Sequence, residues 1–340
     1  NGSARYQLTG EMPLDATVKN IDAHILLNKF FVSDSLVDIK HAIPNLRIGQ
    51  VDLASGKATA TASQFWFNGV LRHSLIKELN IETNTGFQLK GENVYWNIFD
   101  WDIYQKNKDI QIDSVYASHL TIHTQPAEAT TTTTLPTPPL PAIRITHLQA
   151  DQLSFDRVAP KSTLRFTIND LHANNLASAE KFFTWSDLKM GLSDIGLETP
   201  KTRMIIKTAN FNSDSGLSIQ NLDLQSLREP TALNISAPLI HINTALSSSD
   251  LSHLPLINVK TDDLEIRFNK ITEKDTLQAK AVASLRVTNL HLKPGHSPHL
   301  SSAIYLTLNK AGFKYNKDSS ALAIDDVAGF LKEDSFHWSP

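Results

Sequence analysis

A short pattern of apolar residues recurs along this chain and limits what it can fold into. In residues 143–155, IRITHLQADQLSF, Ile143 and Ile145 alternate with polar residues, two polar positions follow, and Leu148 and Ala150 resume the alternation. An alternation with a period of two is typical of β-strands, whose successive side chains point to opposite faces. The stretch therefore predicts a strand with one apolar face.

The same spacing occurs on both sides of this stretch, with some variation. Its further copies are Leu46, Ile48, Val51 and Leu53; Ile110, Ile112, Val115 and Ala117; Phe166, Ile168, Leu171 and Ala173; Leu217, Ile219, Leu222 and Leu224; Leu285, Val287, Leu290 and Leu292; and Leu306, Leu308, Ala311 and Phe313. Repetition of a period-two pattern predicts a mainly β fold built of repeated strand units.

The two-residue gap in each copy determines the expected shape of the sheet. In an undisturbed strand, the gap would move the second apolar pair to the opposite face. Either the chain turns at the gap, or a bulge or bend restores the face, and we favour the bulge or bend. Repeated bends twist and curve a sheet, so we predict a long, strongly curved antiparallel sheet, a β-groove or taco-like trough.

One or two short helices are expected within this β fold. Residues 178–190 begin with a serine suited to cap a helix, although a strand is the alternative for this short window. Residues 246–254 carry leucines at roughly helical spacing, with several serines as candidate caps. Residues 213–216, SDSG, are predicted to form a turn.

Composition divides the chain into three parts. Residues 1–123 and 143–340 are β-rich, whereas residues 124–142, TQPAEATTTTTLPTPPLPA, are dominated by threonine and proline. Prolines cannot donate to a β-ladder, so this segment is interpreted as a linker or long loop. Because it joins two copies of the same pattern, we favour a hairpin-like excursion between neighbouring strands of one elongated sheet. Two separate β modules are the alternative.

Charge and composition exclude several functions. The chain has 32 Lys+Arg against 35 Asp+Glu, a net charge of -3 and no dense basic stretch, so neither nucleic acid nor an anionic membrane surface is an expected electrostatic partner. It has no cysteine, which excludes disulfides and cysteine-ligated metals. No apolar run is long enough to span a bilayer as a helix, so we expect any membrane anchor to lie outside this chain.

Candidate catalytic residues are few. The sequence contains no nucleophile elbow, no phosphate-binding glycine loop and no dinucleotide fingerprint. Asp100 and Asp102 flank Trp101 in an aromatic-rich stretch and resemble an acid/base or calcium pair. Because no further ligand or partner accompanies them, a solvated strand edge or a turn is the favoured interpretation. We therefore predict no catalytic residues and a protein that is not an enzyme.

Histidine pairs are the main candidates for a metal site. His119 and His123 would lie about 13 Å apart on one face of a strand, too far to share an ion directly. His296 and His299 lie in a loop that offers no evident third ligand. We therefore predict no metal and no cofactor.

Three segments carry a resemblance to a known protein family. Residues 139–156 (PLPAIRITHLQADQLSFD), 110–123 (IQIDSVYASHLTIH) and 283–294 (ASLRVTNLHLKP) resemble the repeating strands of the AsmA-like and TamB-like envelope proteins of Gram-negative bacteria. The similarity lies in the spacing of apolar residues over much of residues 40–330, and not in a diagnostic motif. It implies a taco-shaped sheet with an apolar inner surface, periplasmic localisation and an inner-membrane anchor absent from this chain. It also implies a part in phospholipid movement or outer-membrane homeostasis.

The predicted function is binding of phospholipid or another acyl-chain lipid in an apolar β-groove, with other envelope proteins as candidate partners. The residues predicted to line the groove are Ile110, Ile112, Ile143, Ile145, Phe166, Ile168, Leu217, Ile219, Leu285, Val287, Leu306 and Leu308. Ordinary core packing is the alternative for each of them. The competing functions are a structural or adhesive β-sandwich with a filled core and, less favoured, a hydrolase using Asp100 and Asp102.

Overall fold

The computed structural model describes residues 2–8, 14–26, 42–107, 109–125, 142–179, 182–227, 231–249, 257–271, 276–290, 303–315, 327–332 and 335–339. They are mainly β-strand, which confirms the mainly β class that the sequence predicts. The strands are β1 Gly2–Leu8, β2 Leu14–His24, β3 Asn45–Ser55, β4 Ala58–Asn68, β5 His73–Thr83, β6 Phe87–Phe99, β7 Ile110–Thr124, β8 Ile143–Ala159, β9 Ser162–Ala179, β10 Phe182–Thr184, β11 Asp187–Glu198, β12 Thr202–Asn212, β13 Gly216–Ser226, β14 Thr231–Asn243, β15 Ile257–Ile271, β16 Thr276–Leu290, β17 Ala303–Tyr315, β18 Val327–Lys332 and β19 Ser335–Ser339. Helix is almost absent from these residues; α1 spans Trp101–Asn107.

The chain divides into two compact units. Unit 1 comprises Asn1–Ala159 and Asn169–Ser186, and unit 2 comprises Pro160–Ile168 and Asp187–Pro340. In unit 1 each strand from β1 to β7 pairs antiparallel with the next. In unit 2 the same holds from β11 to β19. The antiparallel pairing that the sequence predicts is thus confirmed for these strands.

One pair of strands departs from that arrangement. β7 and β8 are neighbours, as expected for the strands on either side of the threonine- and proline-rich segment, but they run parallel. Ile110 lies opposite Ile143, and Thr124 lies opposite Arg157. The predicted hairpin-like connection is therefore wrong, because a hairpin joins antiparallel strands. The sequence that separates β7 from β8 is longer than the dozen or so residues that a parallel connection requires.

The gap in the apolar pattern coincides with a local change of backbone conformation. In β13, Asn221 lies in the gap between Ile219 and Leu222 and has a φ of 55°. Similar positive φ values occur in the interiors of β2, β4, β6 and β11, at Asn20, Gln64, Asn93 and Asp194. At each of these positions a ladder with a neighbouring strand omits one pair, yet keeps the same register on both sides. In those ladders the strand therefore continues through the gap without an inserted residue. The ladder between β1 and β2 is different, because its register shifts by one residue at Asn20.

The residues paired opposite the positive-φ positions allow the two strands to approach closely or tolerate the loss of a ladder hydrogen bond. Gly49 has no Cβ, and a Cβ built there would lie 2.8 Å from the Cβ of Asn20. Pro238 lies in the interior of β14 where the ladder with β13 skips from Gln220–Leu239 to Leu222–Ala237. Proline cannot donate a ladder hydrogen bond, so the gap is the position in this strand that tolerates it.

Inserted residues occur in unit 2. The register between β15 and β16 shifts between Thr261 and Leu264, and the register between β16 and β17 shifts between Val282 and Ala283. The interruption that the sequence predicts thus takes two forms. It is a residue with positive φ in β2, β4, β6, β11 and β13, and a bulge in the pairings of β15, β16 and β17.

The predicted helices are not formed in the part of the chain that the structure describes. Residues 182–184 form β10 and Asp187–Glu198 form β11, so the helix predicted for residues 178–190 is wrong and its strand alternative is confirmed. Residues 246–249 are not helical, and the rest of the second predicted helix lies outside the described residues. The predicted turn at residues 213–216 is confirmed, with Gly216 at a φ of 100°.

Candidate functional site

The apolar residues of unit 1 align from strand to strand. We define the apolar face of unit 1 by four cross-strand rows on β2 to β8. The rows are Ala16, Leu53, Ala60, Ile81, Leu89, Ile122 and Phe155; Val18, Val51, Ala62, Leu79, Gly91, Leu120 and Leu153; Ile21, Ile48, Phe65, Ile76 and Val94, with Ala117 and Ala150; and Ala23, Leu46, Phe67, Ser74, Trp96, Val115 and Leu148. Residues directly opposite each other share a face, so each row is continuous on one side of its strands.

Contacts around Gly91 show that the face continues across the gap in β6. A Cβ built on Gly91 would lie 2.9 Å from Val94 Cγ2, which is beyond the gap, and 3.3 Å from Leu120 Cδ2. Asn93, between Gly91 and Val94, has a φ of 50°. Gly91 and Val94 therefore face the same side, as the sequence pattern requires. In the next rows Phe65 stacks on Trp96 with 6.1 Å between ring centroids.

A second residue with positive φ extends the face to β8. Ile98 has a φ of 51° and stands between Trp96 and Phe99 as Asn93 stands between Gly91 and Val94. Phe99 lies opposite Ile112, and Ile112 lies opposite Ile145. By the same backbone geometry, these three residues form a further row on the apolar side of β6, β7 and β8.

Unit 2 has an apolar face of the same kind. We define the apolar face of unit 2 by its rows on β11 to β17. The rows are Met190, Phe211, Leu217, Ile242, Val259, Val287 and Ile304; Leu192, Ala209, Ile219 and Ile240, with Thr261, Leu285 and Leu306; Ile195, Ile206, Leu222 and Ala237, with Leu264, Ala283 and Leu308; and Leu197, Met204, Leu224, Ile235, Ile266, Ala281 and Ala311. Ile206 and Ala209, on either side of the gap in β12, are both buried, which places them on the same side.

Most large side chains on these faces are only partly buried. The described apolar residues that are fully buried are mainly alanines, and the larger ones among them are Leu188, Ile206, Ile257 and Val287. A core closed between two packed layers buries many large aliphatic side chains completely. The apolar faces thus leave much of their aliphatic surface within reach of solvent or a ligand.

The predicted groove-lining residues can be located on these strands. Several pair directly with one another: Ile110 with Ile143, Ile112 with Ile145, and Leu285 with Leu306. The others pair with further apolar residues: Val287 with Ile304, Leu308 with Ala283, Leu217 with Phe211 and Ile242, and Ile219 with Ala209 and Ile240. Phe166 and Ile168 are half-buried on β9.

Several residues of the apolar faces were missed by the sequence reasoning. Ala16, Ala60 and Ala62 belong to the same rows as leucine and isoleucine, but alanine gives little hydrophobic contrast with the threonines beside it. Gly91 occupies an apolar row without any side chain. The signal that could have identified these residues is the spacing of the apolar pattern, which β4 and β6 follow.

The opposite face of unit 1 is polar and carries hydrogen-bonded pairs. Ser63 Oγ donates to Glu78 Oε2 at 3.0 Å, and Gln50 Nε2 donates to Asp52 Oδ1 at 2.8 Å. Hydrogen bonds from Asn80 and Gln88 hold the pKa of Glu82 below its usual value. This side of the strands is therefore a hydrated surface of ordinary polar interactions.

Aromatic side chains interrupt that polar surface along one row. Trp66 Nε1 donates to Asn45 Oδ1 at 2.9 Å, and the ring of Tyr95 meets His73 edge-on at 5.4 Å. The Tyr116 hydroxyl donates a hydrogen bond to Asp151 Oδ2 at 2.5 Å, and this contact raises the pKa of Tyr116. Burial raises the pKa of Tyr95. The aromatic residues of unit 1 are therefore divided between the two faces of the strands.

Asp100 has a structural role. It follows the end of β6, and its Oδ1 accepts a hydrogen bond from the backbone N–H of Ile103 at 3.0 Å, which caps the N-terminus of α1. Asp102 lies in the first turn of α1. The stretch that the sequence favoured as a strand edge or turn is therefore a strand end followed by a capped helix.

The histidines predicted to be too far apart for one ion have separate partners. His119 Nδ1 lies 3.6 Å from Glu92 on β6, whereas His123 Nδ1 lies 3.2 Å from Asp156 on β8. His296 and His299 lie outside the described residues. Within the described ranges, no group of three or more histidine or carboxylate side chains is arranged to hold a metal ion. No helix of that part of the chain is long and apolar enough to cross a membrane.

Comparison with known proteins does not assign the chain to a family. No protein-family model matches it, and no curated protein is significantly similar in sequence.

Proposed function

We propose that this protein binds the acyl chains of phospholipids on its apolar sheet faces and takes part in lipid transport without catalysing a reaction. The observation that supports this most directly is the continuity of the apolar rows. In unit 1 they cross β2 to β8 with Ser74 as the polar exception, while the opposite side of the same strands is mainly polar. A surface of that kind shields hydrocarbon from water without requiring a specific headgroup contact.

The energy available from such a surface is sufficient for binding. Burial of one methylene group contributes about 0.8 kcal/mol, so covering half of a sixteen-carbon chain contributes roughly 6 kcal/mol before the entropy of association is subtracted. Partial exposure of the aliphatic side chains leaves them able to make these contacts.

The proposal includes a curved sheet. Residues with positive φ lie at corresponding positions of β2, β4 and β6, and the neighbouring ladders β15–β16 and β16–β17 each contain a bulge. Bulges and local bends increase twist and curvature. Aligned bends in neighbouring strands support curvature of the sheet, and the proposal takes the apolar face as its concave side.

The cellular setting follows from the resemblance to AsmA-like and TamB-like proteins. We propose a bacterial periplasmic protein, held at the inner membrane by an anchor outside this chain, that acts in outer-membrane homeostasis with other envelope proteins. This part of the proposal depends on the spacing of apolar residues in segments 110–123, 139–156 and 283–294.

Native mass spectrometry of the protein purified from bacterial membranes in mild detergent tests the binding. We expect a phospholipid adduct, identified after denaturation, that is lost in Ile145→Asp and weakened in the milder Ile145→Asn. Thr146→Asp is the matched control, because Thr146 is exposed beside Ile145. Circular dichroism and thermal unfolding identify any variant that fails to fold.

Two outcomes would overturn the proposal. A lipid-free mass in every preparation would favour the structural β-sandwich instead. A lipid adduct that persists equally in the folded Ile145→Asp, Ile145→Asn and Thr146→Asp variants would place the lipid away from the apolar face.

A further inference from the structure

Most of the exposed large apolar side chains described in unit 1 lie at one end of its strands, whereas Tyr6 and Leu53 lie on a row toward the other end. We define the apolar rim as Ile25, Leu26, Val70, Leu71, Ile98 and Tyr104. The most exposed are Val70 at 76% and Leu71 at 56%, both in the turn between β4 and β5. Large aliphatic side chains at the tip of a turn are unfavourable in water unless something covers them.

Backbone pairing shows that these residues belong to the same end of the sheet. The last pairs that β2 to β6 form with one another at that end lie in one cross-strand row of His24, Asn45, Asn68, His73 and Asn97. β6 continues beyond this row and pairs with β7 at Phe99. The rim residues of β2, β6 and the β4–β5 turn follow directly beyond that row. Two backbone hydrogen bonds link neighbouring strands there, from Gly69 N to the Pro44 carbonyl at 3.1 Å and from Ile98 N to the Arg72 carbonyl at 3.0 Å.

The turn that carries Val70 and Leu71 is held in a fixed conformation. Asn68 Oδ1 accepts a hydrogen bond from the Leu71 backbone N–H at 2.9 Å, and Arg72 adopts a φ of 56°. The Ile98 hydrogen bond to Arg72 fixes the other side of the turn. The turn therefore presents its two apolar side chains outward without having to become ordered on binding.

The turns at the other end of the same strands are polar. β3 and β4 are joined through Gly56 and Lys57, and β5 and β6 are joined through residues 84–86, NTG. Ser55 Oγ accepts a hydrogen bond from the backbone of Lys57, and the hydroxyls of Thr83 and Thr85 share a hydrogen bond at 2.7 Å. Among the turns that the structure describes, apolar exposure therefore distinguishes the end at Val70 and Leu71 from the end at Gly56 and residues 84–86.

We propose that the apolar rim docks on a phospholipid bilayer, with Val70 and Leu71 entering the interface between headgroups and acyl chains. Two side chains protruding from the tip of a turn suit a fluid apolar phase, which closes around them, better than a preformed pocket. Arg72 follows them and can remain at the level of the phosphates. The rim borders Phe67 and Trp96 of the apolar face, so it also serves as the lipid entry point, a role that rests on the proposed function.

The absence of cysteine allows a site-specific test. Single Leu71→Cys and Thr85→Cys variants, labelled with an environment-sensitive fluorophore, report on opposite ends of the strands. On adding vesicles of phosphatidylcholine with phosphatidylglycerol, we expect a blue shift and an intensity rise at position 71 and no change at position 85. In sedimentation with the same vesicles, the unlabelled Val70→Ser/Leu71→Ser variant should bind at least about tenfold more weakly than the unaltered protein.

The control for sedimentation is Asn84→Ser/Thr85→Ser, which should bind as the unaltered protein does. Equal shifts at positions 71 and 85, absence of vesicle binding, or undiminished binding of the folded Val70→Ser/Leu71→Ser variant would each overturn the rim proposal. Bound phospholipid found by native mass spectrometry in the same preparations would leave the proposed function standing, so the two failures are distinguishable.

Discussion

Individual residues allow the change of backbone conformation in the gaps of several strands. Asparagine tolerates a positive φ better than most residues, and Asn20, Asn93 and Asn221 occupy such positions on their strands. They lie in the gaps of the apolar pattern, between apolar residues that share a face. A local property of one side chain thereby allows a strand to keep the same face in contact with apolar neighbours over its whole length.

Replacement of Asn221 tests this role. Asn221→Gly should change the free energy of unfolding by no more than a few tenths of a kcal/mol, because glycine adopts positive φ freely. Asn221→Val should lower the free energy of unfolding by about 1–2 kcal/mol, because a β-branched residue is strained there. Urea unfolding measures both, with Ser218→Val as the control at a regular position of β13. Equal effects of the two valine substitutions would contradict this role for Asn221.

Gly49 permits a second test at the same scale. Because its added Cβ would lie 2.8 Å from the Asn20 Cβ, Gly49→Ala should destabilise the protein by about 1–3 kcal/mol. Gly196, a strand position with nothing within 4 Å of an added Cβ, provides the matched control. Gly196→Ala should be neutral or raise the free energy of unfolding by up to about 1 kcal/mol. A neutral Gly49→Ala would show that β2 and β3 separate easily at this point.

At the scale of elements, the sequence predicted the strands and their antiparallel pairing, except between β7 and β8, which run parallel. The apolar pattern is much the same in either direction, so the residues around Ile112 and Ile145 can align parallel or antiparallel. Parallel β7 and β8 therefore could not be distinguished from a hairpin by apolar spacing. α1 was missed because its aromatic residues continue the apparent alternation of β6, whereas the decisive contact is the cap from Asp100 to Ile103.

Designed disulfides test the direction of β8. In the parallel register Gln111 lies opposite Arg144, so Gln111→Cys/Arg144→Cys should oxidise to a disulfide within one chain. A hairpin that placed Thr124 opposite Ile143 would instead bring Gln111 near Asp156, which makes Gln111→Cys/Asp156→Cys the matched control. Peptide mapping after mild oxidation identifies the bond. Efficient bonding in the Asp156 variant alone would support the hairpin.

Acid sensitivity is a property of the pairing between β15 and β16. Hydrogen bonds from Arg267 and Lys280 hold the pKa of Glu265 below its usual value, and Lys280 Nζ lies 3.3 Å from Glu265 Oε2. A carboxyl whose pKa is lowered by folding contributes stability above its unfolded pKa, and that contribution is lost as pH falls through the folded pKa. At neutral pH, the unaltered protein should therefore unfold at a higher urea concentration than Glu265→Gln. The difference should shrink under acid conditions and weaken in high salt. A difference independent of pH would contradict this origin.

At the scale of the whole molecule, the two units share one chemical asymmetry. Each has apolar rows on one side of its strands and mainly polar residues on the other. The sequence could predict this asymmetry, because side-chain alternation determines it. The sequence predicted alanine members such as Ala117, Ala150 and Ala311 from their spacing, but not Gly91 or the exposed turn at Val70, because their positions depend on strand register.

If both apolar faces bind acyl chains, both should contact lipid in the same preparation. A photoreactive phenylalanine analogue at Leu120 in unit 1 or Leu222 in unit 2 should crosslink to phospholipid in bacterial cells. The nearby positions Thr121 and Gln220 are exposed and should not. Mass spectrometry of the crosslinked peptides measures the yield at each position. Capture at Leu120 alone would confine lipid binding to unit 1, whereas equal capture at all four positions would indicate contact with a surrounding membrane and contradict binding by one face.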